Sequence, residues 1–318
     1  MNIKRILSAA SASVFMALAI PAAAFAVTPT TVYDATPNPL PPNVASLGFQ
    51  ATQTSEFGDY VHLGGTDRNL NTVTVTMSDW ALFSDYSSNA TYSGNSASWT
   101  HPITLNIYNA IPGTPNQVGS PLGSVTQTVT IPWRPEADTT CAGGTAWRAS
   151  DGQCYNGKAF NATFDMSSLG VTLPNAVIVS VAYDTQSYGA HPTGVAGPYN
   201  SLNVGVPTGQ TATVGSDDSS SKVFWNSSTG TGGVFVEDSG WAPNGTVAFK
   251  VTASAALAAA PTNKDQCKDN LWKNFNNPSF KNQGDCVSFV ASGGKAKGNP
   301  KEDTSVVNTI TTALNRLF

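Results

Sequence analysis

The sequence predicts an antiparallel β-sandwich of jelly-roll type, followed by a small helical module closed by a disulfide. Three observations predict it. Apolar and polar residues alternate with period two in a series of segments between residues 71 and 251, as they do in strands with one buried face. Gly, Pro and Asn punctuate these segments with no helical periodicity between them, which suits two packed sheets. At Ala253 to Thr262, ASAALAAAPT, the alternation stops and helical spacing follows.

Taken in order, the chain opens with MNIKRILSAASASVFMALAIPAAAFA. Lys4 and Arg5 precede an apolar run that ends in Ala24-Phe25-Ala26, the pattern of a secretory signal peptide. The mature chain is expected to begin at Val27, outside the cytoplasm. The first cysteine is Cys141, so no lipid-bearing cysteine follows the signal, and no sortase-type pentapeptide is present. No later stretch has the ~18 uncharged apolar residues a membrane span needs. Residues 27–45 carry Pro29, Pro37, Pro39, Pro41 and Pro42 and read as an extended lead-in.

The sandwich is expected over residues 46–252, with ten to twelve strands. In Asn71 to Met77 the apolar Val73, Val75 and Met77 alternate with threonines. Trp80 and Leu82 then take over the apolar role, which predicts a bulge or bend at Ser78-Asp79. Alternation recurs at Ile103 to Ile107, Val125 to Ile131, Phe160 to Phe164 and Val247 to Val251. Ala176 to Asp184 is apolar on both faces and reads as a central strand. Shorter candidates are Tyr60 to Leu63, Ser201 to Val206, Lys222 to Trp225 and Val234 to Glu237. After the linker at 253–262, residues 263–318 read as three helices. Asn263 caps one carrying Cys267, Leu271, Trp272 and Phe275, a second spans Ser279 to Ala291, and a last one bears Val307, Ile310, Leu314 and Leu317.

Charged residues make up 11% of the chain, against about 25% in an ordinary globular protein, so the surface is hydroxyl- and amide-rich. Residues 27–260 hold six Lys and Arg against fifteen acids, whereas residues 261–318 hold eight against five. The acidic body excludes nucleic acid as a partner, because phosphate binding needs clustered cations. The basic tail suits an accessory tether to an anionic polymer.

Four cysteines in an exported chain imply two disulfides, and the local pairing Cys141 to Cys154 and Cys267 to Cys286 closes the shortest loops. No close cysteine pair and no Cys-His cluster stands at zinc-ligand spacing.

Gln266-Cys267-Lys268, Trp272-Lys273-Asn274-Phe275 and Phe280-Lys281-Asn282-Gln283-Gly284 with Cys286-Val287-Ser288 form a recognisable set. It resembles a short C-terminal module of secreted bacterial proteins, notably actinobacterial ones. Glu56-Phe57-Gly58-Asp59, Thr66-Asp67-Arg68, Ser78-Asp79-Trp80 and Ile131-Pro132-Trp133-Arg134-Pro135 look like segments of other exported proteins. The resemblance implies location and modularity and supplies no activity.

His62, His101 and His191 lie in no hydrolase motif, and Gly-x-Ser-x-Gly is absent. No cofactor is implied. Glu56, Asp59 and Asp67 could offer calcium its oxygen ligands, although no Asp-x-Asp-x-Asp-Gly loop exists. The aromatic residues are more suggestive. Trp133-Arg134 and Trp147-Arg148 flank or lie within the Cys141 to Cys154 loop, which also holds Asp151 and leads to Tyr155. Exposed indoles stack on sugar rings while Asp and Arg bond the hydroxyls, and a closed loop lowers the ordering entropy on binding. Trp225 and Trp241 are weaker candidates.

The sequence therefore points first to a non-catalytic exported protein that binds a glycan or cell-envelope polymer through Trp147, Arg148, Asp151, Tyr155, Trp133 and Arg134. The alternatives are a structural or adhesive surface protein, favoured by an exposed apolar sheet face, and a glycan hydrolase or lyase, favoured by a cleft with paired acids.

Overall fold

The computed structural model describes residues 28–87, 96–255, 260–275, 278 and 280–296. The expected signal segment at 1–26 and the expected last helix at 307–317 lie outside the described residues. The chain forms two compact units that meet in sequence between Leu257 and Ala258.

The larger unit is mainly β and antiparallel in all its strand pairings. Its strands are β1 (Thr30–Asp34), β2 (Ser46–Gly48), β3 (Thr54–His62), β4 (Asn69–Asp79), β5 (Ser98–Ile111) and β6 (Gln117–Pro132). The short β7 (Trp147–Arg148) and β8 (Cys154–Tyr155) follow, then β9 (Lys158–Asp165), β10 (Ala176–Ala182) and β11 (Leu202–Gly205). Last come β12 (Ser216–Asp217), β13 (Lys222–Ser227), β14 (Val236–Ser239) and β15 (Phe249–Ser254). The first sheet runs β1-β15-β4-β11-β2, with β9 on the free side of β4; the second runs β14-β13-β3-β10-β5-β6, with β12 beside β3. Consecutive strands repeatedly change sheet, so the layers are woven together.

The core lies between the layers. Val73, Val75 and Met77 of β4 meet Ile103, Leu105 and Ile107 of β5, Val177, Val179 and Val181 of β10, and Phe160 and Phe164 of β9 in one cluster. The central strand β10 is buried over its inner five residues, as its doubly apolar sequence requires. Outside the first sheet, threonines bridge neighbouring strands: Thr72 with Thr252 at 2.7 Å and Thr74 with Thr163 at 2.8 Å. Such cross-strand pairs fix register. Outside the second sheet, Tyr60, Ile178 and Phe224 are buried beneath Ala110, Val118 and Phe235. The turn after β5 is clamped there by Asn116, whose amide donates to Glu237 and Asp218.

Several expectations change. The lead-in is not merely extended, because Thr30 to Asp34 forms β1 against β15, with Val32 and Tyr33 buried; the β-branched run precedes the first close group of prolines. Strand β15 continues to Ser254, two residues into the expected linker. No bulge forms at Ser78-Asp79. Asp79 keeps the inward phase of β4 and Trp80 faces outward, 42% exposed.

The smaller unit is compact around Cys267, Cys286, Phe275 and Phe280. The expected first helix is instead two 3₁₀ turns, Lys264–Cys267 and Leu271–Asn274, interrupted by Asp269 and Asn270 at positive φ. Asn263 does cap the first of them, in a reciprocal box with Gln266. The second helix is α1 (Gln283–Ala291), capped by Asn282 and ended by Gly293 and Gly294 at positive φ. Among the described residues, no helix is long and apolar enough to cross a membrane.

Candidate functional site

Both disulfides are formed, Cys141 to Cys154 and Cys267 to Cys286. The first closes a loop whose spine is the two-residue ribbon of β7 and β8. Arg148 holds it from inside, pairing with Asp138 at 3.2 Å and donating to the Gly152 carbonyl at 2.7 Å. Asp151 accepts from the Gln153 N–H at 2.9 Å and the Tyr155 hydroxyl at 2.7 Å, bonds that hold its carboxyl below the usual range.

Neither tryptophan singled out by the sequence presents a ring face to solvent. Trp133 continues the inward phase of Val129 and Ile131 and is only 6% exposed, against the rings of Phe83, Tyr86 and Trp99. Trp147 is 9% exposed and donates its indole N–H to the Gly157 carbonyl at 2.8 Å. Arg134 is likewise buried, donating to the Asn156 and Thr145 carbonyls at 3.2 and 2.8 Å, so its guanidinium ties the loop together. Trp225 and Trp241 pack edge to face, with their N–H groups on Thr54 and Asp238. Rigid loop closure is achieved here by burying the very rings that looked available.

What remains is a groove of about 430 Å³ beside the loop. Leu40, Pro41 and Pro42 form one wall; Trp147, Ser150 and Asp151 form the other, and Lys158 and Ala159 of β9 line it as well. Trp80, which sequence reasoning missed, is linked to it through Gly157, the residue before the groove-lining Lys158. A Cβ on Gly157 would lie 2.3 Å from both the Trp80 indole nitrogen and the Ser78 hydroxyl, so only glycine admits that ring so close to the backbone. Gly157 thus touches both indoles, one buried and one exposed. The signal for Trp80 was the unbroken phase of β4, in which position 80 falls with the outward Thr74 and Thr76.

Asp79 stays inward because it accepts from the Trp99 indole N–H at 3.2 Å and the Ala81 N–H at 3.3 Å. Burial pushes its carboxyl up to about 8. Asp59 is also interior, accepting from the Tyr60 and Val247 N–H groups at 2.8 and 3.0 Å; burial and then the nearby Asp217 push it well above the usual carboxylate range. Asp217 bonds the Thr246 hydroxyl and, with Asp218 and Thr246, lines a second groove of about 320 Å³. Its carboxyl too is raised by burial.

No protein family, curated protein or solved structure matches the chain.

The three acids weighed for calcium are held apart. Glu56 accepts from Asn106 and Tyr108 outside the second sheet, Asp59 lies in the interior, and Asp67 accepts from Thr30. Among the described residues, no three His, Cys, Asp or Glu side chains converge as metal ligands. His62 faces Asp218 at 3.4 Å, whereas His101 is buried against the Asp184 carbonyl.

Proposed function

We propose that this is an exported, non-catalytic β-sandwich that holds a polysaccharide, with Trp80 as the stacking platform and the adjoining groove taking the next sugar. The observation that carries it is one exposed indole, 42% accessible, beside a groove walled by prolines and a disulfide-closed loop. Sugar rings present C–H faces that suit an indole and prolines, and their hydroxyls suit Ser150 and the Asn43 amide, which Ser78 ties to the Trp80 side of the sheet. The signal-like leader and the two disulfides support export, and the basic tail supports retention at an envelope polymer.

The test is retention of the mature protein on insoluble peptidoglycan, chitin and cellulose, and on a soluble glycan array. Trp80→Ala is expected to weaken binding by about thirty-fold, the loss typical of a central aromatic anchor. Retention unchanged by Trp80→Ala sinks this site.

A second reading, glycan cleavage, is favoured by the groove that joins Asp217 and Asp218. It predicts release of reducing ends that Asp217→Asn abolishes; a polysaccharide left intact after prolonged incubation removes it.

A further inference from the structure

We infer that the groove beside Trp80 recognises a sugar bearing a carboxylate, and that the Lys158 ammonium is its partner. This rests on the polysaccharide-binding reading and narrows it to a ligand class.

The larger unit has six Lys and Arg side chains in residues 27–257. Five are engaged. Arg68 donates to the Gly64 and Asp67 carbonyls, Arg134 to Asn156 and Thr145, and Arg148 pairs with Asp138. Lys222 pairs with Glu237 at 3.0 Å and Lys250 with Asp34 at 3.1 Å. Lys158 alone has no hydrogen-bond or ion-pair partner among the described residues, and it is the one cation of the six that lines the groove. The carboxylate that lines the groove with it, Asp151, already accepts from Gln153 and Tyr155. An ammonium placed in a concave, partly apolar site gains most from an anionic acceptor, since charge-assisted bonds are shorter and about twice as strong as neutral ones. The groove volume of about 430 Å³ falls within the about 300 to 1,000 Å³ usual for small-ligand sites.

The charge of the whole unit sets the density of the ligand. Fifteen acids against six cations repel a closely charged polyanion. The fit is to a polysaccharide with spaced carboxylates, such as one alternating a uronic acid with a neutral sugar, and not to a polyphosphate.

The experiment uses the full mature protein and three probes: an oligosaccharide of alternating hexuronate and N-acetylhexosamine, the same oligosaccharide with its carboxyls reduced to alcohols, and inorganic polyphosphate. Titration calorimetry is expected to show about ten-fold tighter binding of the acidic oligosaccharide than of its reduced form. Lys158→Gln should erase that preference and Lys158→Arg should keep it, while both variants melt like the parent because the side chain has no partner to lose. Equal affinity for the native and reduced oligosaccharides, with binding still lost in Trp80→Ala, overturns this inference and leaves the platform reading standing. A preference that survives Lys158→Gln assigns the carboxylate to another residue and overturns it too. Tighter binding of polyphosphate than of the acidic oligosaccharide also overturns it, as does binding of none of the three, while retention on chitin, cellulose or peptidoglycan that Trp80→Ala abolishes would leave the platform reading standing.

Discussion

Two loops in this chain are closed by a disulfide, and the same covalent link does different work in each. Cys141 is buried but Cys154 is exposed, and the loop between them leans on a sandwich that has its own interior. Arg134, Arg148 and the Trp147 indole tie that loop down independently. In the C-terminal unit, Cys267 and Cys286 are both fully buried and are themselves half of the buried core, with Phe275 and Phe280. A small unit has too little apolar area to fold on packing alone. A staple is therefore decisive where it is the core and auxiliary where it decorates one.

The largest expected effect breaks the smaller unit. Cys267→Ser with Cys286→Ser removes about 3 kcal/mol of loop restriction, and hydrogen exchange should show residues 264–291 losing protection while β4, β5 and β10 keep theirs. Retained protection in both units would falsify the contrast.

Acidity should separate the units next. Asp79, at about 8 in the folded chain against 3.8 when unfolded, binds more protons folded, as does Asp59. The Asp79 contribution is fully present below pH ~4 and is lost as pH rises through about 8, and Asp59 acts in the same direction. Sandwich stability should therefore fall over that window by at most about 1.4 kcal/mol per pH unit for each carboxyl. Asp79→Asn should flatten the slope, and denaturant melts between pH 4 and pH 9 measure it. The smaller unit, where the Lys268 ammonium holds the exposed Asp265 carboxyl below the usual range, should show no such fall.

Cys141→Ser with Cys154→Ser comes third, costing the sandwich up to about 3 kcal/mol and leaving it folded, with new protease cuts confined to residues 138–156. Smaller again is Asn282→Ala, which removes the cap bond to the Asp285 N–H and should cost the C-terminal unit about 1 kcal/mol. Thr74→Ala, which breaks the exposed pair with Thr163, should cost the sandwich only a few tenths of a kcal/mol.

The strands and both disulfides were legible because period-two alternation and loop length are local properties. Val73 to Met77 and Ile103 to Ile107 state their own buried face. The candidate site was less legible. Asp79 faces inward only because Trp99, twenty residues on, supplies an indole N–H. An alternation rule that treats charge as outward must misplace it, and Trp80 with it. Trp147 could be read as exposed or buried until Gly157 offered its carbonyl. The first helix of the small unit was expected from apolar spacing, but Asp269 and Asn270 break it by a positive φ that spacing does not encode.

Strand β1 finds its partner in β15, with Thr30 opposite Ala253, and β4 cannot gain neighbours on both sides until β9, β11 and β15 have been made. The first sheet thus closes only with β15, which ends at Ser254, and contacts so distant along the chain make for slow assembly. A sandwich closed this way needs strands from both ends of its sequence. Its two ends, once joined side by side, also allow the sandwich to be spliced into a surface loop of another protein without stretching either.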